Sequence, residues 1–358
     1  MSAPPETRSG SSAQTAVRTH WWQQVPLLIP GVVVSLVGAG VAFGISQLVP
    51  GLSTMLVAIL LGVLWCNLAP VPAALKPGTA FSARHILRAG IILLGLKLSL
   101  GAIAELGVGV IILVVAAVGI TFGVTILVGR WLKIPTPLTL LVASGFSICG
   151  AAAVAGAEGV LKAKKEHVAA AIGLVVLFGT LMIPTIPFLA SLVGLDPEAS
   201  GLWAGASAHE VAQAVAAGGI IGGGALAVAV TVKLARVLML APVMAGLAWW
   251  VRRQAAAEGS DGVRPTLPPI IPGFVLGFLA MVLLRTFGLV PEALLGPAEI
   301  VQSLLLTAAM FALGLGVHLR TLAQVGPRPV LLGVVSTAVI LGIGGLGAVL
   351  VDLSLIHI

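Results

Sequence analysis

Apolar runs long enough to cross a bilayer core as helices follow one another along the chain, near 26–48, 52–70, 86–104, 107–129, 136–156, 167–193, 200–220, 225–250, 268–289, 298–317 and 329–351. Proline and glycine mark the joints, in "LVPGL", "APVPAALKPG", "KIPTP", "VGLDPEASG", "VRPTLPP", "LVPEALLGP" and "VGPRP". Trp21, Trp22, Trp131, Trp203, Trp249 and Trp250 fall at or close to run ends, where an aromatic belt would place them. The pattern predicts an all-α polytopic membrane protein. Residues 25–352 read as one transmembrane domain, preceded by a polar, disordered tail over 1–24.

Composition agrees with that reading. Of 358 residues, 59% are hydrophobic and 9% charged, whereas a soluble domain carries about 25% charged residues. Mean hydropathy is +1.16. Cys66 and Cys149 both lie inside apolar runs, with neither a disulfide framework nor a metal-binding spacing. The tail lacks the apolar core and cleavage site of a signal peptide.

Charge decides the number of crossings. If all eleven runs crossed, with the N-terminus inside, "LKAKKEH" (161–167) would lie outside and "DPE" (196–198) inside, against the positive-inside rule. If 136–156 and 200–220 instead dip in and return, fifteen of the nineteen Lys and Arg fall on the cytoplasmic side and the other four within spans. Glu105, Asp196, Glu198 and Glu292 then lie outside. The expectation is nine full spans plus two broken or re-entrant segments, with 161–167 and 252–264 cytoplasmic; two crossing helices unwound at mid-membrane would give a similar hydropathy pattern. The net charge of +7 is then explained by orientation and does not imply nucleic acid.

Two internal similarities accompany this topology. "LGLKLSLGAIAELG" (94–107) aligns without gaps with "LGLGVHLRTLAQVG" (313–326) at six of fourteen positions. The copies run in opposite directions, as in the inverted repeats of secondary transporters, whose sites lie at the midplane in discontinuous helices. "GFSICGAAA" (145–153) and "GASAHEVAQ" (205–213) share G-x-S and one alanine, and pair the two unusual segments with each other.

Candidate chemistry collects in those segments. His209, Glu210 and Gln213 share one helical turn if their stretch is helical, and an ionisable residue at mid-bilayer costs about 2.5–3.5 kcal/mol, so it marks function by default. Pairing of Glu210 with Lys233 or Arg236 as a plain helix tie is the alternative. "SGFSICGAAA" (144–153) sets Ser144, Ser147, Cys149 and Gly150 ahead of a half-helix N-terminus, a place for an anion; tight packing by small residues is the other reading. Ser207 would join them. Lys233 and Arg236, at i and i+3, put two cations on one helix face, deeper than snorkelling explains. Lys97 is expected to snorkel outward or to meet Glu105. "HEVAQ" lacks the second histidine of a zinc protease, "GIGGLG" (342–347) lies within an apolar span, and no G-K-[ST] exists for an ATP-driven pump. Neither a metal nor a cofactor is expected.

"SICGAAAV" (147–154), "GASAHEVAQAVAAG" (205–218) and "VKLARVLMLAP" (232–242) together resemble the motifs of the YeiH-type putative sulfate exporters, and the likeness runs from about residue 27 to 352. The resemblance implies a bacterial inner-membrane protein related to the cation:proton antiporter and bile-acid symporter superfamily, with an inorganic sulfur oxyanion as substrate. The tail "LSLIHI" (353–358) departs from that pattern and reads as a translated sequencing adapter. The function expected is efflux of sulfate or sulfite. Ser144, Ser147, Cys149, Gly150, Ser207, Lys233 and Arg236 would hold the anion, and His209, Glu210 and Gln213 would form a proton-sensitive element. Two other classes stay open: a cation/proton antiporter with His209 and Glu210 as its ion site, and an intramembrane enzyme built on Cys149 and His209. The partners expected are a small inorganic anion and the lipid bilayer, with a homodimer left open.

Overall fold

Breaking a helix inside a bilayer frees main-chain groups that lipid cannot satisfy, so a broken segment survives only where protein surrounds it. A computed structural model of the chain, describing residues 25–48, 54–105, 107–257, 272–318, 320 and 326–356, contains two such segments, each deeply enclosed. The expected tail 1–24, residues 258–264 of the expected cytoplasmic loop, and positions 357–358 lie outside the described residues.

Among the described residues all regular structure is helical. The chain runs α1 (Val25–Leu48), α2 (Thr54–Leu68), α3 (Ala73–Lys97), α4 (Leu100–Glu105) and α5 (Gly107–Trp131). Then come α6 (Thr136–Cys149), α7 (Ala151–Leu161), α8 (Lys165–Val193), α9 (Pro197–Ser207), α10 (Val211–Ile221) and α11 (Ala225–Gln254). It ends with α12 (Gly273–Thr286), α13 (Glu292–Gly314) and α14 (Pro327–Ile356). Seven of these (α1, α3, α5, α8, α11, α13, α14) are long and apolar enough to cross a membrane. The remaining two expected spans, α2 and α12, have 15 and 14 residues, about 21–23 Å of helix, and run beside the long ones. Leu48, Val108, Trp131 and Ile300 stand more than two-thirds exposed, on a surface that lipid would cover.

Helices α6 and α7 form one hairpin. Lys133, Pro135 and Leu138, where it begins, line the same cavity as Glu166 and His167, just past its end. The segment therefore enters and leaves at one face. Helices α9 and α10 form the second, because a side chain on Gly223 after α10 would touch Pro197 at the start of α9. The alternative of two unwound crossing helices is not what the chain adopts.

The 94–107 and 313–326 copies share backbone detail. In each, a helix ends in a tight turn, Leu98 N donating to Gly95 O at 3.2 Å and Val317 N to Gly314 O at 3.0 Å. Each copy closes on a glycine of positive φ, Gly107 at 82° and Gly326 at 84°. Lys97 departs from expectation: its ammonium meets Glu299 on α13 at 2.6 Å, not Glu105. Trp203 departs too. Its indole is buried, and Nε1 donates to Leu341 O on α14 at 2.9 Å, so it is a packing residue of the second hairpin and not part of an interfacial belt.

The helices sort into two bundles. One holds α1, α2, α3, α12 and α13, and there Gly62 and Gly314 let the backbones of α2 and α13 touch, since a Cβ on either would strike the other helix's main chain. The other holds α5, α8, α14, the first half of α11 and both hairpins. Of all the spanning helices, α8 is the most enclosed, with 61% of its apolar window buried against 28% for α1 and α14.

Lys133→Cys and Lys164→Cys are expected to react with a membrane-impermeant maleimide from one side of the membrane, and Glu198→Cys from the other. Both native cysteines are buried and should stay silent. Labelling of positions 133 and 164 from opposite sides would mean that 136–161 crosses.

Candidate functional site

The two hairpin tips meet inside the second bundle. At each tip a helix ends and another begins, which leaves the last carbonyls of α6 and α9 and the first N–H groups of α7 and α10 without helical partners. Gly150 makes the first turn, with φ 74° and ψ −135°; a Cβ there would also run into the Glu210 side chain. In the second turn Ala208 and Glu210 adopt extended conformations.

Cations from α11 take the carbonyl ends. Lys233 Nζ donates to Ile148 O at 2.8 Å, and to Ala208 O and His209 O at 2.7 Å each. Arg236 Nη1 donates to Ala208 O at 2.8 Å and Gly205 O at 3.3 Å, and Nη2 to Ser147 O at 2.8 Å and Phe146 O at 3.2 Å. Each cation therefore ties both hairpins together, and both are fully buried. Three acceptors around Nζ match the three donors of an ammonium, one more than a neutral amine possesses. The charges also complement the negative ends of the α6 and α9 dipoles.

One carboxylate takes the N-terminal ends. Glu210 Oε1 accepts from Ala151 N at 3.0 Å, at the first residue of α7. The same side chain accepts from the Gln213 main chain, while Gln213 Oε1 accepts from Glu210 N at 2.8 Å, a reciprocal capping box on α10. Glu210 thus joins two half-helices from opposite faces of the protein. It forms no ion pair with Lys233 or Arg236 within 4.0 Å among the described residues, so the simple helix tie is not how it is held.

The other candidates are placed as follows. His209 packs its ring against Phe146, centroids 4.5 Å apart, and Nε2 lies 3.2 Å from Thr337 Oγ1 on α14. Ser144 and Ser147 donate to Leu140 O and Ala143 O at 2.8 and 2.6 Å, within their own helix, and Ser207 donates to Ile340 O at 3.2 Å. Their hydroxyls serve main-chain carbonyls, unlike the oxygen-holding role expected of them. Cys149 has no hydrogen bond to His209 among the described residues. It lines a cavity of about 40 Å³ with Ala152, Glu210, Val211 and Ala212 at the start of α7 and α10. Met55, Ile91, Leu94, Leu306 and Met310 of the first bundle form the opposite wall. The space accommodates about three waters. Gln213 Nε2 and Arg236 Nε are buried donors without a partner among the described residues.

Sequence reasoning missed Thr337 and Phe146. The adjacent hydroxyls of Ser336 and Thr337 inside an apolar span were the available signal; Ser336 Oγ sits 2.8 Å from Thr125 Oγ1 on α5. Nothing in the sequence marked the apolar wall. Among the described residues no group of three or more His, Cys, Asp or Glu is placed to hold a metal.

The family model described as conserved hypothetical protein 698 matches residues 30–333. The chain belongs to that family. It is 47% identical over 325 residues to a UPF0324 membrane protein of Corynebacterium glutamicum, covering 90% of this chain and 93% of the relative. It is 40% identical over 324 residues to a UPF0324 membrane protein of Pseudomonas aeruginosa, covering 86% and 90%. To one of Bacillus cereus it is 36% identical over 285 residues, covering 79% and 82%. No solved structure matches. The relatives are named as membrane proteins, in agreement with the multi-pass fold.

Removing one cation should expose buried carbonyl ends and destabilise the tips. Arg236→Met leaves buried carbonyls of both hairpins without this donor, at about 1–3 kcal/mol for each left unsatisfied, read as a lower unfolding midpoint in detergent. Ser147→Ala should cost about 1 kcal/mol or less, because its hydroxyl only supplements the Ala143 carbonyl one turn back in its own helix. Equal effects of the two changes would contradict the arrangement.

Proposed function

We propose that the protein is a secondary transporter that exports a small inorganic sulfur oxyanion, sulfate or sulfite, across the bacterial inner membrane, with its N-terminus and lysine-rich face cytoplasmic. The resemblance of its three motifs to YeiH-type exporters supports the substrate class and the superfamily relation. The observation that carries the reading is the pair of half-helix N-termini meeting on one carboxylate beside two buried cations. Two positive charges against one negative leave a surplus of one. That favours an anionic guest over a cationic one.

Glu210 supplies the coupling. Ionised, its carboxylate occupies the N–H groups of Ala151 and Gln213 and keeps an anion out. Protonated, it gives them up, and an oxyanion takes its place, using the adjoining cavity. The titratable groups around Glu210 are Lys233 and Arg236 from α11, Cys149 from the first hairpin and His209 beside it; the first bundle presents only apolar side chains to the cavity. Lys233 and Arg236 hold the tips together and keep the site positive. His209, braced by Phe146 and Thr337, fixes the turn that carries Glu210. Because the hairpins enter from opposite faces, movement of one bundle against the other can open the site to either side in turn. An inside-negative potential assists, since a dianion leaving the cell gains about 4.6 kcal/mol per 100 mV.

Proteoliposomes containing the protein should carry labelled sulfate or sulfite, with a flux that changes with pH. Glu210→Gln keeps an acceptor for the Ala151 N–H but no titrating group, so that variant should stay folded and lose the pH dependence. Transport of sodium but of neither anion would overturn the anion reading in favour of cation/proton antiport. An unchanged pH profile in a stable Glu210→Gln protein would remove the carboxylate from the coupling.

A further inference from the structure

Between the two bundles, at the lysine-rich end, lies a cavity of about 520 Å³, more than ten times the volume beside Glu210. Lys76 at the start of α3 and Lys165 at the start of α8 both border it, one from each bundle, together with His318. Glu158 is also in its wall, but Arg84 takes that carboxylate at 2.7 Å. Lys76 and Lys165 have no ion-pair partner among the described residues. Each belongs to the first turn of a long helix, where the dipole disfavours a cation, so the two charges are placed against their own helices' preference. The cavity also leads somewhere. Ala312 and Leu313 line it, and Met310, within a turn of them on α13, lines the small cavity at Glu210.

We infer that this cavity is a second, outlying binding site for a small inorganic oxyanion, which collects the anion between Lys76 and Lys165 before it reaches the hairpin tips. The inference rests on the anion transport proposed above. A doubly charged tetrahedral or pyramidal oxyanion suits two ammonium groups bordering one cavity, and a concave wall with a surplus of positive charge raises the local concentration of an anion. Because the lysines come from different bundles, an anion held between them draws the bundles together at this face.

An anionic lipid headgroup offers the same chemistry, so the experiment uses liposomes of neutral phosphatidylcholine. Labelled sulfate and labelled sulfite are offered separately at each face, and a Lys76→Gln/Lys165→Gln protein is compared with wild type and with Lys76→Arg/Lys165→Arg. The expected result is an apparent KM raised about tenfold for anion offered at the lysine-rich face alone, with kcat and the opposite-face KM unchanged, and recovery in the arginine variant. A KM that does not move at that face overturns the inference, as does a loss that appears only when phosphatidylglycerol is added, which would assign the lysines to lipid. A wild-type protein that carries neither anion sinks the transport reading itself. An active wild type with an indifferent double glutamine variant sinks only the outlying site.

Discussion

Four half-helix ends within a low-dielectric interior are the constraint on which the rest of the structure depends. Lipid and apolar side chains cannot satisfy them, and each buried unpaired carbonyl or N–H would cost several kcal/mol. The chain answers with three charged side chains. Lys233 and Arg236 donate to carbonyls of both hairpins, and Glu210 accepts from N–H groups of both. The same bonds that make the breaks tolerable also fix the two tips against each other, and so place a carboxylate, two cations and a small cavity at one point.

That solution has a functional side. In the transport reading proposed above, a carboxylate satisfying two helix N-termini is an internal anion in the place of the substrate. Removing its charge by protonation leaves the donors in position and the cations in surplus, so exchange with a guest of the same shape and sign needs little rearrangement of the main chain. In the transport reading the moving part is the bundle interface, where apolar side chains of α2, α3 and α13 face the tips and the Arg84–Glu158 pair ties α3 to α7.

Much of this was legible in the sequence, and the limits have physical reasons. The re-entrant course of 136–156 followed from lysines that the positive-inside rule would not allow outside, and the 94–107 repeat survived into matching turns and matching positive-φ glycines. Lys233, Arg236 and Glu210 stood out because charge is costly in an apolar run. What they bind did not stand out: their partners are main-chain groups assembled only in the folded chain, and main-chain groups leave no trace in composition. The hydroxyls of Ser144 and Ser147 each find a carbonyl one turn back in their own helix, a pairing that composition does not mark. Lys97 found Glu299, a partner 202 residues away that no spacing rule connects to it.

The exchange of Glu210 for the substrate anion makes one stoichiometric demand, open to direct measurement with purified protein in weakly buffered solution. Binding of sulfate or sulfite should draw about one proton from solution per anion bound, as the displaced carboxylate is neutralised, and the Glu210→Gln protein should bind the anion with no proton uptake. Anion binding by the wild-type protein with no uptake, at every pH where it binds, would contradict the account.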